Sequence, residues 1–326
     1  MIETLGPGVG DLSAMIRDAL VRRERRAGDR FDELIGHALA GPGKLVRPLA
    51  LIASAEAVGG SAGSALSAAI AVEYLHVASL VHDDIIDGDD LRRGRPSVHA
   101  RYGVAEAIVT GDALLFDLFA IIADGGLPAG TVAPVVAEIA RAGNDLCRGQ
   151  VLESGLEHDS ALEDYLAVAG LKTAALFRAA CRAGALLGGG STGQIELLGS
   201  YGEHTGIAYQ MYDDCLPYLA DTARAGKPAV SDAANLRPTW PVLLAYREGE
   251  PKHRRLIETA LSGTLPPEET FRSLRIAVLA SGGLDSACRS AREHAGRARA
   301  RLRELPVAAA AARLAGITDR AVDRDR

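Results

Sequence analysis

Apolar residues recur at spacings of three and four along nearly the whole chain, and nowhere do β-branched residues alternate with polar ones over the length of a strand. That periodicity predicts an all-α protein. Gly and Pro clusters interrupt it at 41–43, 59–63, 88–96, 125–131, 188–193, 222–241, 262–267 and 282–283, dividing the chain into roughly ten helices. None of these breaks has the length or charge of an interdomain linker, so residues 1–326 are expected to form a single helical domain. With only 4% aromatic residues among 48% hydrophobic ones, its core must be built from Ala, Leu, Val and Ile, which suits closely packed helices.

The formal charge of −6, from 36 Lys plus Arg against 42 Asp plus Glu, offers no general attraction for nucleic acid or an anionic membrane. The Arg-rich stretch 289–303 reads as a solvated helix face. The first eighteen residues lack a cationic start followed by an apolar run, so no signal peptide is expected. The most apolar segments, 65–82 and 108–123, carry Glu73, Asp112 and Asp117, which are costly in lipid, so no integral membrane segment is expected either. Cys147, Cys181, Cys215 and Cys288 show no metal-ligand or disulfide spacing, pointing to a reducing, cytoplasmic setting.

Carboxylates cluster twice, near Asp83 and near Asp213. In EYLHVASLVHDDIIDGDDLRRGRPSVH an apolar helix ends in Asp83, Asp84 and Asp87, and helical spacing puts Asp83 and Asp87 on one face, below His76 and Leu80. Two carboxylates about 6 Å apart repel by roughly 3 kcal/mol at an effective dielectric near 20. A hard divalent cation removes that cost, and magnesium commonly bridges such acids to phosphate. Arg92 and Arg93 follow as candidate anion ligands.

This segment resembles the first aspartate-rich region of the trans-isoprenyl diphosphate synthases, the polyprenyl synthetase family. Gly43, Lys44, Arg47 and Pro48 resemble that family's GGKRxRP segment, and further motifs follow in order: Gly149 and Gln150, Lys172 and Thr173, Tyr209, Gln210, Asp213 and Asp214, Gly226 and Lys227. The resemblance implies an isoprenoid-synthase bundle around a central apolar cavity, a homodimer, and two substrates, isopentenyl diphosphate and an allylic diphosphate. It also implies about three magnesium ions on Asp83, Asp84 and Asp87 from one side and on Asp213 and Asp214 from the other. Lys44, Arg47, His76 and Arg93 would hold isopentenyl diphosphate, and Arg92, Lys172 and Lys227 the leaving diphosphate. Thr173 and Gln210 would face the allylic cation. Family members often set product length five residues before the first aspartate. That position is Ala78 here, with Ser79 beside it and Tyr74 and Leu75 a turn deeper, which implies products of roughly twenty carbons or more.

Three positions depart from the family pattern. Pro217 stands where the second motif has its third acid, and it removes the N–H that would bond the Asp213 carbonyl, so a kink is expected there. Leu45 stands where Arg is common, and Arg237, which the resemblance places among the diphosphate-binding residues, stands where Lys is usual and keeps its charge. A class I terpene cyclase is a weaker reading, because its metal triad would need partners where Arg148 and Leu152 follow Asn144 and Asp145, with Glu153 one residue late. A non-catalytic partner subunit is the third alternative, motivated by Pro217.

Overall fold

The computed structural model describes residues 9–24, 28–41, 43–219 and 232–323. Among these residues there are fifteen α-helices, and contacts group them into two compact units. The excess over ten comes from further stops of the expected kinds. Gly103, at φ 103°, separates α5 (Val98–Tyr102) from α6 (Val104–Ala123), and Gly249 with Pro251 separates α11 (Trp240–Glu248) from α12 (Pro251–Ala260).

The first unit comprises Met1–Asn144, Leu176–Gly202 and Arg299–Arg320. Its centre is α4 (Ala62–Asp87), which packs chiefly on α3 (Val46–Ala57) and α6. Ser61 caps α4 by accepting the Ser64 N–H, and Gly88 at φ 68° ends it in the left-handed conformation. The Ala-rich composition serves close approach: Ala65, Ala68, Ala69 and Ala71 of α4 are fully buried. Glycine goes further where α9 (Ala175–Leu187) meets α3, since a Cβ on Gly184 would stand 2.1 Å from the Leu51 carbonyl oxygen. By length and composition α4 could cross a membrane, yet 67% of its apolar window is buried by the fold and Glu73 is buried within it.

The expectation of helix alone needs one amendment. Leu91–Arg92 and Arg95–Pro96 pair as a two-residue antiparallel ribbon just after α4. Its turn residues, Arg93 and Gly94, both have positive φ (53° and 76°), the twist that suits tight hairpins. No alternating pattern exists to reveal so short a ribbon.

The second unit comprises Asp145–Ala175, Glu203–Ala298 and Ala321–Arg326. Tyr165, Met211, Tyr212, Trp240, Leu243 and Val278 lie at its core. The chain enters this unit along α7 (Ala129–Glu153), passes through α8 (Leu162–Val168), and makes a π-helical turn at Ala169–Ala174. Later it runs through α10 (Thr192–Leu219), α11, α12, α13 (Pro267–Ser281) and α14 (Gly283–Arg301).

Candidate active site

In the first unit α4 presents one accessible stripe. His76, Ser79, Leu80, Asp83 and Asp87 are half-buried and recur at helical spacing, while Ala78 and Asp84 are turned into the protein. Asp83 and Asp87 therefore share a face, as the spacing predicts. Asp84 does not join them: it is 3% exposed, and Arg92 donates to its Oδ1 from Nε at 2.8 Å and from Nη2 as well. Burial raises the Asp84 pKa, and the Arg92 hydrogen bond opposes that rise. Asp84 and Arg92, expected to hold metal and diphosphate respectively, pair with each other here, which fixes the ribbon to the end of α4.

Basic side chains lie beside the upper part of this stripe. Arg47 Nη1 donates to His76 Nε2 at 3.3 Å, and its guanidinium lies over the Phe177 ring, 4.5 Å from the centroid. Because arginine only donates, His76 keeps Nε2 unprotonated. Burial, then Arg47, Arg93 and Arg92, hold its pKa well below the usual histidine range, so it is neutral. Arg93 reaches back to donate to the Gly41 carbonyl at 2.9 Å, and its guanidinium occupies the space a side chain at Gly43 would need. Lys44 is exposed beside it. Leu45, which replaces the usual Arg, is buried at a left-handed φ of 53° just before α3. Asp84, Arg92, Arg93, Val77, Leu80 and Val81 share the lining of a cavity of about 50 Å³ beneath the ribbon.

In the second unit the π-helical turn carries Lys172 and Thr173, the kind of irregularity that re-aims side chains at functional sites. It lies so close to α7 that a Cβ on Gly149 would stand 2.4 Å from the Lys172 nitrogen, which accounts for glycine there. Lys172 Nζ donates to Glu153 Oε2 at 2.5 Å, and Arg237 Nε lies 3.6 Å from the same oxygen. Glu153 is thus the junction of two expected diphosphate ligands. Sequence reading weighed it only as a displaced member of a cyclase triad, and its spacing after Gly149 and Gln150 was the available signal.

Thr173 Oγ1 donates to Gln210 Oε1 at 2.7 Å, and Gln210 Nε2 donates to Asp214 Oδ1 at 2.8 Å. Asp214 Oδ2 accepts from the Tyr165 hydroxyl at 2.7 Å and from the Trp240 N–H at 2.9 Å. Both Asp214 oxygens therefore accept from protein donors, so Asp214, expected as a metal ligand, lies here as a buried acceptor. Burial pushes its pKa up to about 7 against the pull of those donors. Asp213, one residue earlier on α10, is exposed. α10 continues through Pro217 to Leu219, so the proline does not end the helix. Lys227 and Gly226 lie outside the described residues.

Among the described residues no three His, Cys, Asp or Glu side chains form a group able to hold a metal by themselves. The donor set nonetheless fits magnesium, which typically takes one or two carboxylates and completes its shell with water and phosphate. Asp83 and Asp87 supply such a pair.

The polyprenyl synthetase family pattern matches residues 29–274, which span both the α4 stripe and the Thr173 to Asp214 chain. The chain belongs to the polyprenyl synthetase family. It is 37% identical over 294 residues to a short chain isoprenyl diphosphate synthase of Methanothermobacter thermautotrophicus, covering 89% of each protein. It is 32% identical over 301 residues to the octaprenyl diphosphate synthase of Escherichia coli, covering 91% of this chain and 90% of that one. A polyprenyl synthase from Caulobacter crescentus, solved with calcium and isoprenyl diphosphate, superimposes with a TM-score of 0.90 at 30% identity over 99% of this chain and 98% of that one. As a polyprenyl synthetase family member the protein is a prenyltransferase of isoprenoid biosynthesis with an all-α fold.

Proposed function

We propose that the protein catalyses magnesium-dependent condensation of isopentenyl diphosphate with an allylic diphosphate, giving an all-trans prenyl diphosphate of about twenty carbons or more. The observation that carries this reading is the presence, beside the α4 acid stripe, of a second anion-binding set: Arg47 and Arg93 next to neutral His76, with Lys44 exposed on the segment that Arg93 reaches. An enzyme that ionises a single prenyl diphosphate has no use for that second set. The cyclase reading is weaker for this reason.

In this reading Asp83 and Asp87 would hold magnesium on one face of α4, and Asp213 would hold magnesium on α10. Magnesium, when bound, neutralises the diphosphate charge that builds as the carbon to oxygen ester bond breaks. Lys172 and Arg237, already drawn together at Glu153, receive the departing pyrophosphate, which takes the electron pair. Thr173 and Gln210 face the allylic carbon. Lys44, Arg47, His76 and Arg93 hold isopentenyl diphosphate, whose double bond provides the electrons of the new carbon to carbon bond and which then loses a proton to the released pyrophosphate.

Ser79, small and half-buried one turn above Asp83, leaves the stripe open to a growing chain, which supports products beyond the shortest. The relatives named above include both short-chain and octaprenyl synthases, so length belongs to the proposal. The family pattern spans residues of both compact units, which supports one synthase domain. Apolar residues exposed on α6 support a homodimer. The four free thiols are compatible with a reducing compartment.

Incubation of purified protein with isopentenyl diphosphate, a farnesyl primer and magnesium, followed by mass analysis, tests the proposal. A prenyl diphosphate longer than the primer is the expected result. A cyclic hydrocarbon from prenyl diphosphate alone would favour the cyclase, and elongation only after mixing with another synthase would indicate a partner subunit.

A further inference from the structure

Four hydrogen bonds in the second unit run in one direction when Asp214 is ionised. An ionised carboxylate can only accept, so the side of Gln210 turned to Asp214 Oδ1 is its amide nitrogen, 2.8 Å away. The Gln210 carbonyl oxygen then faces Thr173, and it accepts the Thr173 hydroxyl proton at 2.7 Å. With that proton committed, Thr173 has only lone pairs left to offer. The anchor of the chain is rigid: Asp214 Oδ2 is held by Tyr165 at 2.7 Å and by the Trp240 backbone at 2.9 Å, and the Tyr165 ring lies 4.8 Å from that of Trp240. Tyr165, Trp240 and Asp214 are all buried. Four segments contribute: α8, the π-helical turn, α10 and the start of α11.

We propose that Asp214 and Tyr165 are positioning residues, which lock the Gln210 amide so that Thr173 presents an acceptor-only oxygen to the allylic carbon, and that Asp214 does not bind metal. The proposal rests on the prenyltransfer reading and adds to it a direction and two residues. An oxygen without a free proton stabilises positive charge on carbon and gives nothing to a diphosphate, so the lock acts at ionisation rather than at binding. Asp214→Asn breaks it. An asparagine can turn its own NH2 toward Gln210, which lets the Gln210 amide reverse and frees the Thr173 proton to point at the substrate. Tyr165→Phe keeps the ring on Trp240 and removes one donor from Asp214.

Two assays decide the matter, alongside a melting curve for each variant. The first is pyrophosphate release from farnesyl diphosphate, with and without isopentenyl diphosphate. The second is calorimetric titration of magnesium with inorganic pyrophosphate, which needs no turnover. For Asp214→Asn, kcat should fall about 10- to 100-fold, while KM for both diphosphates and the magnesium–pyrophosphate affinity stay within about twofold. Tyr165→Phe should show a smaller loss of the same kind. Asp213→Asn should weaken magnesium–pyrophosphate binding. Asp214→Asn combined with Thr173→Val should be no slower than Thr173→Val alone, because both act through one oxygen.

A tenfold or greater loss of magnesium–pyrophosphate affinity in Asp214→Asn overturns the proposal, as do additive losses in the double variant. If wild-type protein releases pyrophosphate but never elongates, the elongation reading fails and the positioning proposal is judged on release alone. Wild-type protein that releases no pyrophosphate in either condition overturns both.

Discussion

Single residues divide sharply by which way a helix turns them. Asp83 and Asp84 are neighbours in sequence, yet one lies on the accessible stripe and the other is buried against Arg92. Asp83→Ala should reduce turnover at least about 1000-fold with little change in melting temperature, because it removes from the surface of the helix a carboxylate proposed to hold magnesium. Asp84→Ala should instead cost stability, on the order of 2–3 kcal/mol in urea unfolding, because it leaves the Arg92 guanidinium without its carboxylate. Equal effects of the two on stability would contradict the division. The same logic separates Ala78 from Ser79. Ala78 has no accessible surface, as Tyr74 and Leu75 have almost none, whereas Ser79 is half-buried on the stripe. Ser79→Phe is therefore expected to shorten the product, read by mass analysis. Ala78→Phe should mainly destabilise, by about 1–3 kcal/mol of overpacking. Motif spacing made the acids, Lys172, Thr173 and Gln210 legible in the sequence. It could not tell Asp213 from Asp214, because that difference depends on donors from Tyr165 and Trp240, which are remote in sequence.

At the scale of elements, periodicity and Gly/Pro punctuation carry most of the fold, since helix formation and its termination are local physics. What they miss is again non-local. The π-helical turn at Lys172 depends on the close approach of α7 at Gly149, and the ribbon depends on the Arg92 to Asp84 contact. One pairing of elements has a consequence in acid. His294 of α14 meets His204 of α10, Nδ1 to Nδ1 at 3.4 Å, and burial, then His204 and Arg297, push the His294 pKa down to about 4. An unfolded histidine takes its proton near pH 6.5, so the unfolded chain binds more protons than the folded one between those values. Stability contributed here is complete above about pH 6.5 and is lost as pH falls toward 4. His294→Gln should flatten that part of the melting temperature against pH curve. An unchanged slope would show that His294 does not contribute.

For the molecule as a whole, a net charge of −6 and an Ala-rich helical core fix solubility and class but not assembly. The structure adds a surface. α6 buries Ala107, Leu114, Leu118 and Ile122 against its neighbours, while Val104, Ile108, Phe116 and Phe119 on its other side are exposed, Phe116 to 75%. Scattered apolar residues on a surface are ordinary, but two phenylalanines and two β-branched residues along one helix form a patch that water penalises. Covering it with the same patch of a second copy satisfies both at once, because a two-fold interface is self-complementary. The sequence hides this, since an apolar residue bound for an interface reads the same as one bound for the core. The protein is therefore expected to sediment as a dimer at micromolar concentration. Phe116→Asp, by placing a charge opposite its own copy, should shift the population to monomer and make the melting temperature lower and less dependent on concentration. Wild-type protein that sediments as a monomer across that range, with a melting temperature independent of concentration, would refute the homodimer.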